Sequence, residues 1–297
     1  MQGVSWGSGV HRVIQGDNLP VLRTLPDASA RLIYIDPPFN TGRPRSRTVT
    51  KAVPDPTAVR AGFRGTRYRS EVLSRISYAD QFDDFLAFLE PRLIEAYRIL
   101  TPDGTLYVHL DYREVHYCRL LLDALFGEDC FLNEIIWAYD YGGRTKRRWP
   151  PKHDNILVYV RDPARYVFNT DDVDREPYMA PGLVSPEKIA LGKLPTDVWW
   201  HTIVSPTGRE KSGYPTQKPL GVLRRIIRAS SLPGDPVLDF FAGSGTTGVA
   251  AAELGRRFIL IDSADDAIAT MRRRLAGVPD VIWETVTGSA PADLPAD

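Results

Sequence analysis

A glycine-rich run near the end of the chain has the composition of a loop that binds a nucleoside cofactor. Gly243-Ser-Gly-Thr-Thr-Gly248 follows an apolar strand pattern and opens a helical one. Glycines let the backbone approach a ligand, and the free amides of a helix amino terminus attract polar groups. Asp262 ends the next predicted strand, where a carboxylate accepts hydrogen bonds from ribose hydroxyls. A tight turn without a ligand is the alternative. Fewer than fifty residues follow Gly248, which disfavours a nicotinamide domain.

The second candidate site is Asp36-Pro37-Pro38-Phe39. The preceding segment, 31–35, is apolar without alternation, as in a parallel strand covered on both faces. Two successive prolines cannot donate to a sheet ladder, so the chain must leave the sheet after Asp36. The tetrapeptide alone could be an ordinary turn, because Asp and Pro are common turn formers. Its place at a strand end makes it a candidate for chemistry.

Together the two motifs resemble those of the DNA amino methyltransferases, which transfer a methyl group from S-adenosylmethionine to an exocyclic base nitrogen. The matching segments are Gly16-Asp17, Asp36 to Phe39, Pro215-Thr-Gln-Lys-Pro219, the strand end at Asp239, and the glycine loop. The catalytic loop precedes the cofactor loop, which is the circularly permuted order of the family's β class. The resemblance implies an α/β fold with a doubly wound, mostly parallel Rossmann-like sheet and an inserted recognition region.

The resemblance assigns catalysis to Asp36, Pro37, Pro38 and Phe39. An adenine N6 or cytosine N4 amine is a poor nucleophile because its lone pair is delocalised into the ring. If the Asp36 carboxylate and the Pro37 carbonyl accept its two N–H bonds, the lone pair is free for in-line attack on the sulfonium methyl. A base inside a duplex must be flipped out to reach this position, and Phe39 is placed to stack on it.

The resemblance also implies a set of cofactor contacts. Residues 243–246 would surround the methionine part of S-adenosylmethionine, with Asp239 near its ammonium. Asp262 would bind the ribose hydroxyls and Asp17 the adenine amine, while Lys218 would lie beside the cofactor. The full predicted set is Asp17, Lys218, Asp239, Phe240, Ala242, Gly243, Ser244, Gly245, Thr246, Thr247 and Asp262.

Two basic segments are candidates for DNA contact. Residues 41–75 carry nine basic and two acidic residues without a clear period, which predicts either a phosphate-neutralising arm or a solvated loop. Residues 139–153 interleave aromatic and basic side chains around two glycines. Such side chains can contact base edges, with phosphate contact alone as the alternative. The predicted DNA-binding residues are Arg43, Arg45, Arg47, Arg144, Lys146, Arg147 and Arg148.

The elements around these motifs alternate between strands and helices, which predicts βαβ units. Predicted strands are 12–15, 31–35, 105–110, 134–138, 156–160, 236–241 and 257–261, and predicted helices are 82–100, 113–126, 219–230, 247–254 and 264–275. The predicted division is an amino-terminal catalytic part at 1–132, a target-recognition region at 133–213, a carboxyl-terminal catalytic part at 214–287 and a disordered tail at 288–297.

Composition excludes several other classes of protein. Apolar residues make up 43% of the chain and charged residues 25%, which argues against disorder. Because 37 basic residues balance 37 acidic ones, any DNA contact depends on local patches. Cys118 and Cys130 are too few for a disulfide scaffold, and neither has the context of a thiolate that attacks cytosine C5. The histidines are dispersed, so we expect no metal. Without an apolar span or a signal peptide, the sequence predicts a cytoplasmic, nucleoid-associated protein.

The predicted activity is site-specific DNA methylation, in restriction-modification or epigenetic marking. Adenine is favoured over cytosine N4, because relatives acting on cytosine more often carry serine in place of Asp36. A DNA-binding subunit without catalysis is a further alternative, but it predicts loss of Asp36 or of the glycine loop, and both are intact. Double-stranded DNA is the expected partner. A homodimer and a cognate restriction endonuclease are further candidates.

Overall fold

The computed structural model describes residues 10–38, 85–141, 145–205 and 207–286, together with the backbone of 45–54 and 68–78. Its strands are β1 (His11–Gln15), β2 (Ala30–Ile35), β3 (Arg45–Pro54), β4 (Tyr68–Tyr78), β5 (Leu100–Leu110), β6 (Phe131–Ala138), β7 (His153–Val160), β8 (Val198–Trp200), β9 (Pro236–Asp239), β10 (Arg257–Asp262) and β11 (Val281–Thr285). Its helices are α1 (Asn18–Leu22), α2 (Phe85–Ile99), α3 (Val115–Phe126), α4 (Pro186–Leu191), α5 (Leu220–Ser230), α6 (Thr246–Glu253) and α7 (Asp265–Arg274).

Nine of these strands form one sheet in the order β11-β1-β10-β9-β2-β5-β7-β6-β8. Neighbouring strands are parallel except where β7 pairs with β5 and with β6. The predicted mostly parallel sheet is therefore confirmed. Strands β7 and β8 and most of β6 come from 133–213, so the predicted recognition region extends this same sheet.

The order of the strands reverses between β9 and β2, which are neighbours in the sheet although they lie far apart in the chain. From β9 the chain passes through α6 to β10 on one side, and from β2 it passes through α2 to β5 on the other. Open α/β sheets bind their ligands at such a reversal, outside the carboxyl ends of the strands. The glycine loop follows β9 and Asp36 follows β2, so the two motifs meet at this point.

Both faces of the sheet are covered, which explains the continuous apolar sequence of β2. Ile33 and Ile35 pack in a core that includes α2 and α3. Leu32 and Tyr34 belong to a second core with α5 and α6. All four side chains are buried, and full burial of such a side chain stabilises the fold by about 1.5–3 kcal/mol. This double burial fixes the strand from which Asp36 projects.

The backbone differs from the predicted loop over 41–75. Strands β3 and β4 pair antiparallel across ten residue pairs, with an irregularity between Val49 and Thr50. Arg45 and Arg47 alternate with serine and threonine, and the β-branched residues that follow favour a strand. The number of arginines obscured this period of two in the sequence. The predicted tail at 288–297 lies outside the described residues and stays a prediction.

Candidate active site

The two motifs line one cleft of about 350 Å³ at the carboxyl edge of the sheet. Ten of the eleven predicted cofactor residues line it, and Gly245 lies next to them in the loop. Three predicted catalytic residues, Asp36, Pro37 and Pro38, form the adjoining wall, whereas Phe39 lies outside the described residues. Among the described residues, the cleft thus unites the predicted catalytic and cofactor positions, although their roles there remain predictions.

Among the described residues, one oxygen of Asp36 has an ion-pair partner and the other has none. Lys218 Nζ donates a hydrogen bond to Asp36 Oδ2. Asp36 Oδ1 is buried, and no described residue donates to it. Leaving a buried acceptor unpaired costs about 1–3 kcal/mol, so such an atom in a cleft is typical of one that receives a donor from a ligand. One oxygen is therefore held in place while the other can accept an N–H.

The glycine loop needs its glycines for both conformation and packing. Gly243 and Gly245 have φ values of 49° and 72°, in the left-handed region that favours glycine. A Cβ on Gly245 would lie 2.6 Å from Met271 Cγ of α7. The loop therefore approaches α7 closely and turns sharply before α6 begins at Thr246. The loop then lines one wall of the cleft.

Asp239, the last residue of β9, is buried below this loop. Its Oδ1 accepts from the Phe241 N–H at 3.0 Å, and its Oδ2 accepts from Thr247 Oγ1 at 2.6 Å. Burial raises the pKa of Asp239 to about 7, with smaller contributions from the charges of Asp36 and Asp262, while the two hydrogen bonds oppose the rise. Such a carboxyl group gains from a cationic ligand, whose charge would favour the ionised form.

Asp262, at the end of β10, shapes the glycine loop. Its Oδ2 accepts from the Gly243 N–H at 2.7 Å, and its Oδ1 accepts from the Ala264 N–H at 2.9 Å. Burial raises the pKa of Asp262, against these backbone hydrogen bonds. Each carboxylate oxygen has a second lone pair. The predicted role toward ribose hydroxyls is therefore compatible with the contacts already made.

Sequence reasoning missed Arg92, a buried arginine of α2 that also lines the cleft. Its Nε donates to Asn18 Oδ1 at 2.6 Å and its Nη2 to Asp17 Oδ1 at 3.1 Å. Asn18 Nδ2 in turn donates to the Phe240 carbonyl at 2.6 Å. This network connects α2, the start of α1 and the glycine loop. An arginine between Leu89 and Leu93, on the apolar side of α2, was the available signal.

Arg274 is a second positioning residue that the sequence did not reveal. From the end of α7, its Nη1 donates to the Ser244 carbonyl and to Thr246 Oγ1, both at 2.8 Å. Thr246 Oγ1 also donates to the Lys218 carbonyl at 3.1 Å. Arg274 thus fixes the glycine loop, and Thr246 links this loop to the segment that carries Lys218.

The family model N6_N4_Mtase, described as DNA methylase, matches residues 30–273, most of the chain. The chain belongs to this DNA methylase family. It is 31% identical over 278 residues to the DNA adenine methyltransferase YhdJ of Escherichia coli K12, covering 91% of this chain and 84% of YhdJ. It is 30% identical over 264 residues to the type II methyltransferase M.HpaI of Haemophilus parainfluenzae, covering 89% of this chain and 74% of M.HpaI.

Solved structures of methyltransferases share the fold of this DNA methylase. The cytosine-N4-specific PvuII DNA methyltransferase has a TM-score of 0.61 at 15% identity, covering 92% of this chain and 88% of that one. M1.HpyAVI in complex with SAM has a TM-score of 0.57 at 22% identity, covering 89% and 98%. The assignment to the S-adenosylmethionine-dependent DNA amino methyltransferases, made from the sequence, is thus confirmed.

The residues predicted to contact DNA lie away from the cleft lining or outside the described ranges. Lys146, Arg147 and Arg148 are exposed on the segment between β6 and β7, next to Trp149, which is 93% exposed. Arg45 and Arg47 lie on β3 of the hairpin. Arg43 and Arg144 lie outside the described residues. These DNA contacts remain predictions for the methylase.

The described residues offer little support for a cysteine nucleophile, a metal site or a membrane-spanning helix. Cys118 is buried in α3, and burial raises the pKa of its thiol to about 12, which disfavours a thiolate. Cys130 is also buried. No three or more His, Cys, Asp or Glu residues of the described ranges are grouped as metal ligands would be. None of the described helices is long and apolar enough to cross a membrane.

Proposed function

We propose that this DNA methylase transfers the methyl group of S-adenosylmethionine to the exocyclic N6 of a flipped adenine in double-stranded DNA. The observation that carries the proposal is the buried Oδ1 of Asp36, which no described residue pairs with and which lies beside the cleft lined by the glycine loop. It provides an acceptor for an amine N–H next to the predicted cofactor site. The DNA adenine methyltransferase YhdJ, 31% identical to this chain, supports adenine as the target.

The volume and the charge of the cleft suit a cationic small-molecule cofactor. Small-molecule sites commonly enclose about 300–1,000 Å³, and this cleft encloses about 350 Å³. Asp17, Asp36, Asp239 and Asp262 all line it. These carboxylates match an ammonium and a sulfonium, both of which are positively charged. When bound, S-adenosylmethionine supplies an electrophilic methyl group on its sulfonium.

The protein's own contribution is to hold the target amine. Asp36 Oδ1 accepts one N–H of the amine, and the Pro37 carbonyl accepts the other, so the nitrogen lone pair is withdrawn from the ring. Lys218 fixes the second oxygen of Asp36 and balances its charge. Groups fixed in this way need no reorganisation during the reaction, which is the source of their catalytic effect.

The outer surface would hold the DNA. The exposed cations 146–148 and Arg144 are proposed to contact base edges or phosphates, and the arginines of the β3–β4 hairpin to contact phosphates. Phe39 is proposed to stack on the flipped base. Action on cellular DNA would place the methylase in the cytoplasm at the nucleoid. We further propose a homodimer and a role in restriction-modification or epigenetic marking, with a cognate endonuclease as a candidate partner.

The decisive experiment identifies the methylated base. The purified protein is incubated with S-adenosylmethionine carrying a labelled methyl group and with unmethylated genomic DNA, which is then digested to nucleosides. Label in N6-methyladenine is expected. Label in N4-methylcytosine would assign the activity of the structurally similar PvuII enzyme instead. DNA binding without label would indicate the non-catalytic alternative.

A matched control distinguishes loss of a catalytic group from a general effect on the fold. Asp36→Ala is expected to remove the label. Asp235→Asn changes a carboxylate that pairs with Arg31 at 3.2 Å. Asp235 directly precedes β9 and so lies at the edge of the sheet opposite the cleft. This variant should label DNA as the wild type does. Equal labelling by all three proteins would refute the role of Asp36.

A further inference from the structure

Behind the cleft lies a buried chain of polar side chains that the proposed function does not use. Tyr34 Oη lies 2.8 Å from His109 Nδ1, and His109 Nε2 lies 3.1 Å from Asp154 Oδ2. Tyr34 is 2% exposed, His109 0% and Asp154 8%. Tyr139 Oη donates to the other oxygen of Asp154 at 3.0 Å. Burying polar groups costs free energy unless they are hydrogen-bonded, and the hydrogen bonds within this chain offset that cost.

Strand register places the chain at the catalytic loop. Ile35, the last residue of β2, pairs with Val108 of β5, so Asp36 directly follows β2 at the level of His109. Tyr34 precedes Asp36 by two residues and therefore points to the same face of the sheet. Tyr34 lines the cleft together with Asp36 and Lys218. Tyr34 thus lines the cleft and contacts His109 through its hydroxyl.

The positions of the protons follow from the partners. A carboxylate can only accept, so the proton of the His109 ring lies on Nε2, toward Asp154. In a ring that carries this single proton, Nδ1 is the acceptor and the Tyr34 hydroxyl donates to it. Burial and the charges of Asp36 and Asp239 raise the pKa of Tyr34 well above its usual value, which keeps this hydroxyl protonated. Its oxygen retains lone pairs that can accept a proton from the cleft.

The neighbouring charges support an ionised Asp154. Burial would raise the pKa of this carboxyl group, but the hydrogen bonds that it accepts from His109 and Tyr139, with the charge of Lys218, favour the ionised form and lower the pKa. A carboxylate beside a histidine ring orients the ring and stabilises its imidazolium form. The chain therefore has the parts of a proton relay: a hydroxyl, an imidazole and a carboxylate.

The proposed reaction releases a proton that needs an acceptor. An amine that has received a methyl group carries a positive charge and must lose one proton to give the methylated base. Asp36 accepts an N–H of this amine, but a proton delivered to Asp36 would remove the negative charge of the Asp36–Lys218 ion pair. A separate acceptor close to Asp36 avoids that loss.

We propose that the Tyr34–His109 pair takes up this proton, an inference that rests on the proposed methyl transfer. An N–H bond of the methylated amine breaks, directly or through one water, and an O–H bond forms at Tyr34. The original O–H bond of Tyr34 breaks as an N–H bond forms at His109 Nδ1. The electron pair stays on the amine nitrogen, and the positive charge ends on the imidazolium beside Asp154. After the product leaves, the proton returns through Tyr34 to water in the cleft.

The first test removes one hydroxyl group. Tyr34→Phe is expected to lower the single-turnover rate at saturating cofactor and DNA by about 100-fold, within the range of a lost general base. Tyr107→Phe is the matched control, because Tyr107 is the register partner of Tyr34 and donates to or accepts from Ser230 Oγ at 2.7 Å beside a separate cavity. The control should keep the wild-type rate. A Tyr34→Phe rate within threefold of wild type would overturn the relay.

The second test distinguishes proton uptake from mere positioning. In His109→Asn the amide oxygen can accept from the Tyr34 hydroxyl, but the amide cannot take up a proton. We expect this variant to be as slow as Tyr34→Phe, and the double variant to be no slower than either, because both act on one proton path. Rescue by asparagine, or additive decreases in rate, would contradict the relay.

The third test needs no activity. NMR of the ligand-free protein with ¹⁵N-labelled histidine should show His109 with its proton on Nε2, identified by loss of the signal in His109→Asn, and Tyr34→Phe should shift the Nδ1 signal. A proton on Nδ1 would overturn the assignment. If the wild type does not methylate DNA, the proposed function fails. If it does and Tyr34→Phe keeps the wild-type rate, only the relay fails.

Discussion

The cleft and the segment between β6 and β7 are built on opposite principles. In the cleft, side chains distant in sequence fix one another, as Lys218 and Arg274 do for Asp36 and the glycine loop. On the segment, residues 145–149 are all exposed. Reaction geometry requires a rigid, preorganised site, whereas contact with the grooves of DNA requires long side chains at a surface. We therefore expect the proposed catalytic site and the proposed DNA-contacting segment to be separately alterable.

The largest expected effect is on the rate of methyl transfer, and it comes from the wall of the cleft formed by residues 36–38, the proposed catalytic wall. Asp36→Ala should lower methyl transfer by about 10³-fold or more, since it removes an acceptor that acts in the transition state. Cofactor affinity, measured by calorimetric titration, should stay within a few-fold. Full activity of the purified variant would exclude Asp36 from the reaction.

On the cofactor wall, Asp262→Ala should weaken cofactor binding by about 1–3 kcal/mol, because it removes hydrogen bonds to a charged acceptor. Part of this effect comes through the loop, since Asp262 also accepts from the Gly243 N–H. Calorimetric titration gives the change in affinity, with Asp266→Asn on the exposed side of α7 as the control. An unchanged affinity would remove Asp262 from the cofactor site.

Cofactor affinity should also depend on pH through Asp239. Below its pKa of about 7 this buried carboxyl group is protonated in the free protein, and it must lose that proton to pair with an ammonium, which is itself charged below pH 7. Affinity should therefore fall as the pH falls below 7, by up to about tenfold per pH unit. In Asp239→Asn the profile should be flat. A wild-type profile that is flat between pH 5 and 8 contradicts the pairing.

The smallest change is expected on the recognition side. Replacing Arg147 and Arg148 by alanine should reduce the salt dependence of DNA affinity by about one unit of slope for each phosphate that the protein no longer neutralises. The free energy of unfolding should change by less than about 0.5 kcal/mol, because both side chains are exposed. Arg165→Ala, at the opposite edge of the sheet, serves as the control.

A methylation assay on a randomised DNA library sharpens this prediction. Relaxed preference at one base position would show that Arg147 or Arg148 contacts a base, whereas uniformly weaker methylation would limit both to phosphates. Cofactor affinity should be unchanged in either case. A loss of cofactor affinity would show that the two regions are not separable.

Local pattern was enough to predict the elements that build the cleft. The apolar runs of β2, β9 and β10, the glycine loop and the double proline each carry their own signal. Strands β11 and β8 were not predicted, because neither has a clear apolar pattern. Strand β11 is partly exposed along its length, and β8 has only three residues. Contacts across the sheet escaped as well. The Lys218–Asp36 pair joins residues 182 apart in sequence, and the Tyr34–His109–Asp154 chain depends on the register of three strands.

The cleft is proposed to have two walls with separate tasks, one for the cofactor and one for the target amine. This division is tested most directly by single-turnover methylation measured against cofactor concentration for Asp262→Ala and Asp36→Ala. Asp262→Ala should need more cofactor but reach the wild-type plateau, and Asp36→Ala should saturate at wild-type concentrations with its plateau abolished. If Asp262→Ala loses the plateau, or Asp36→Ala loses only affinity, the assignment of the two walls is contradicted.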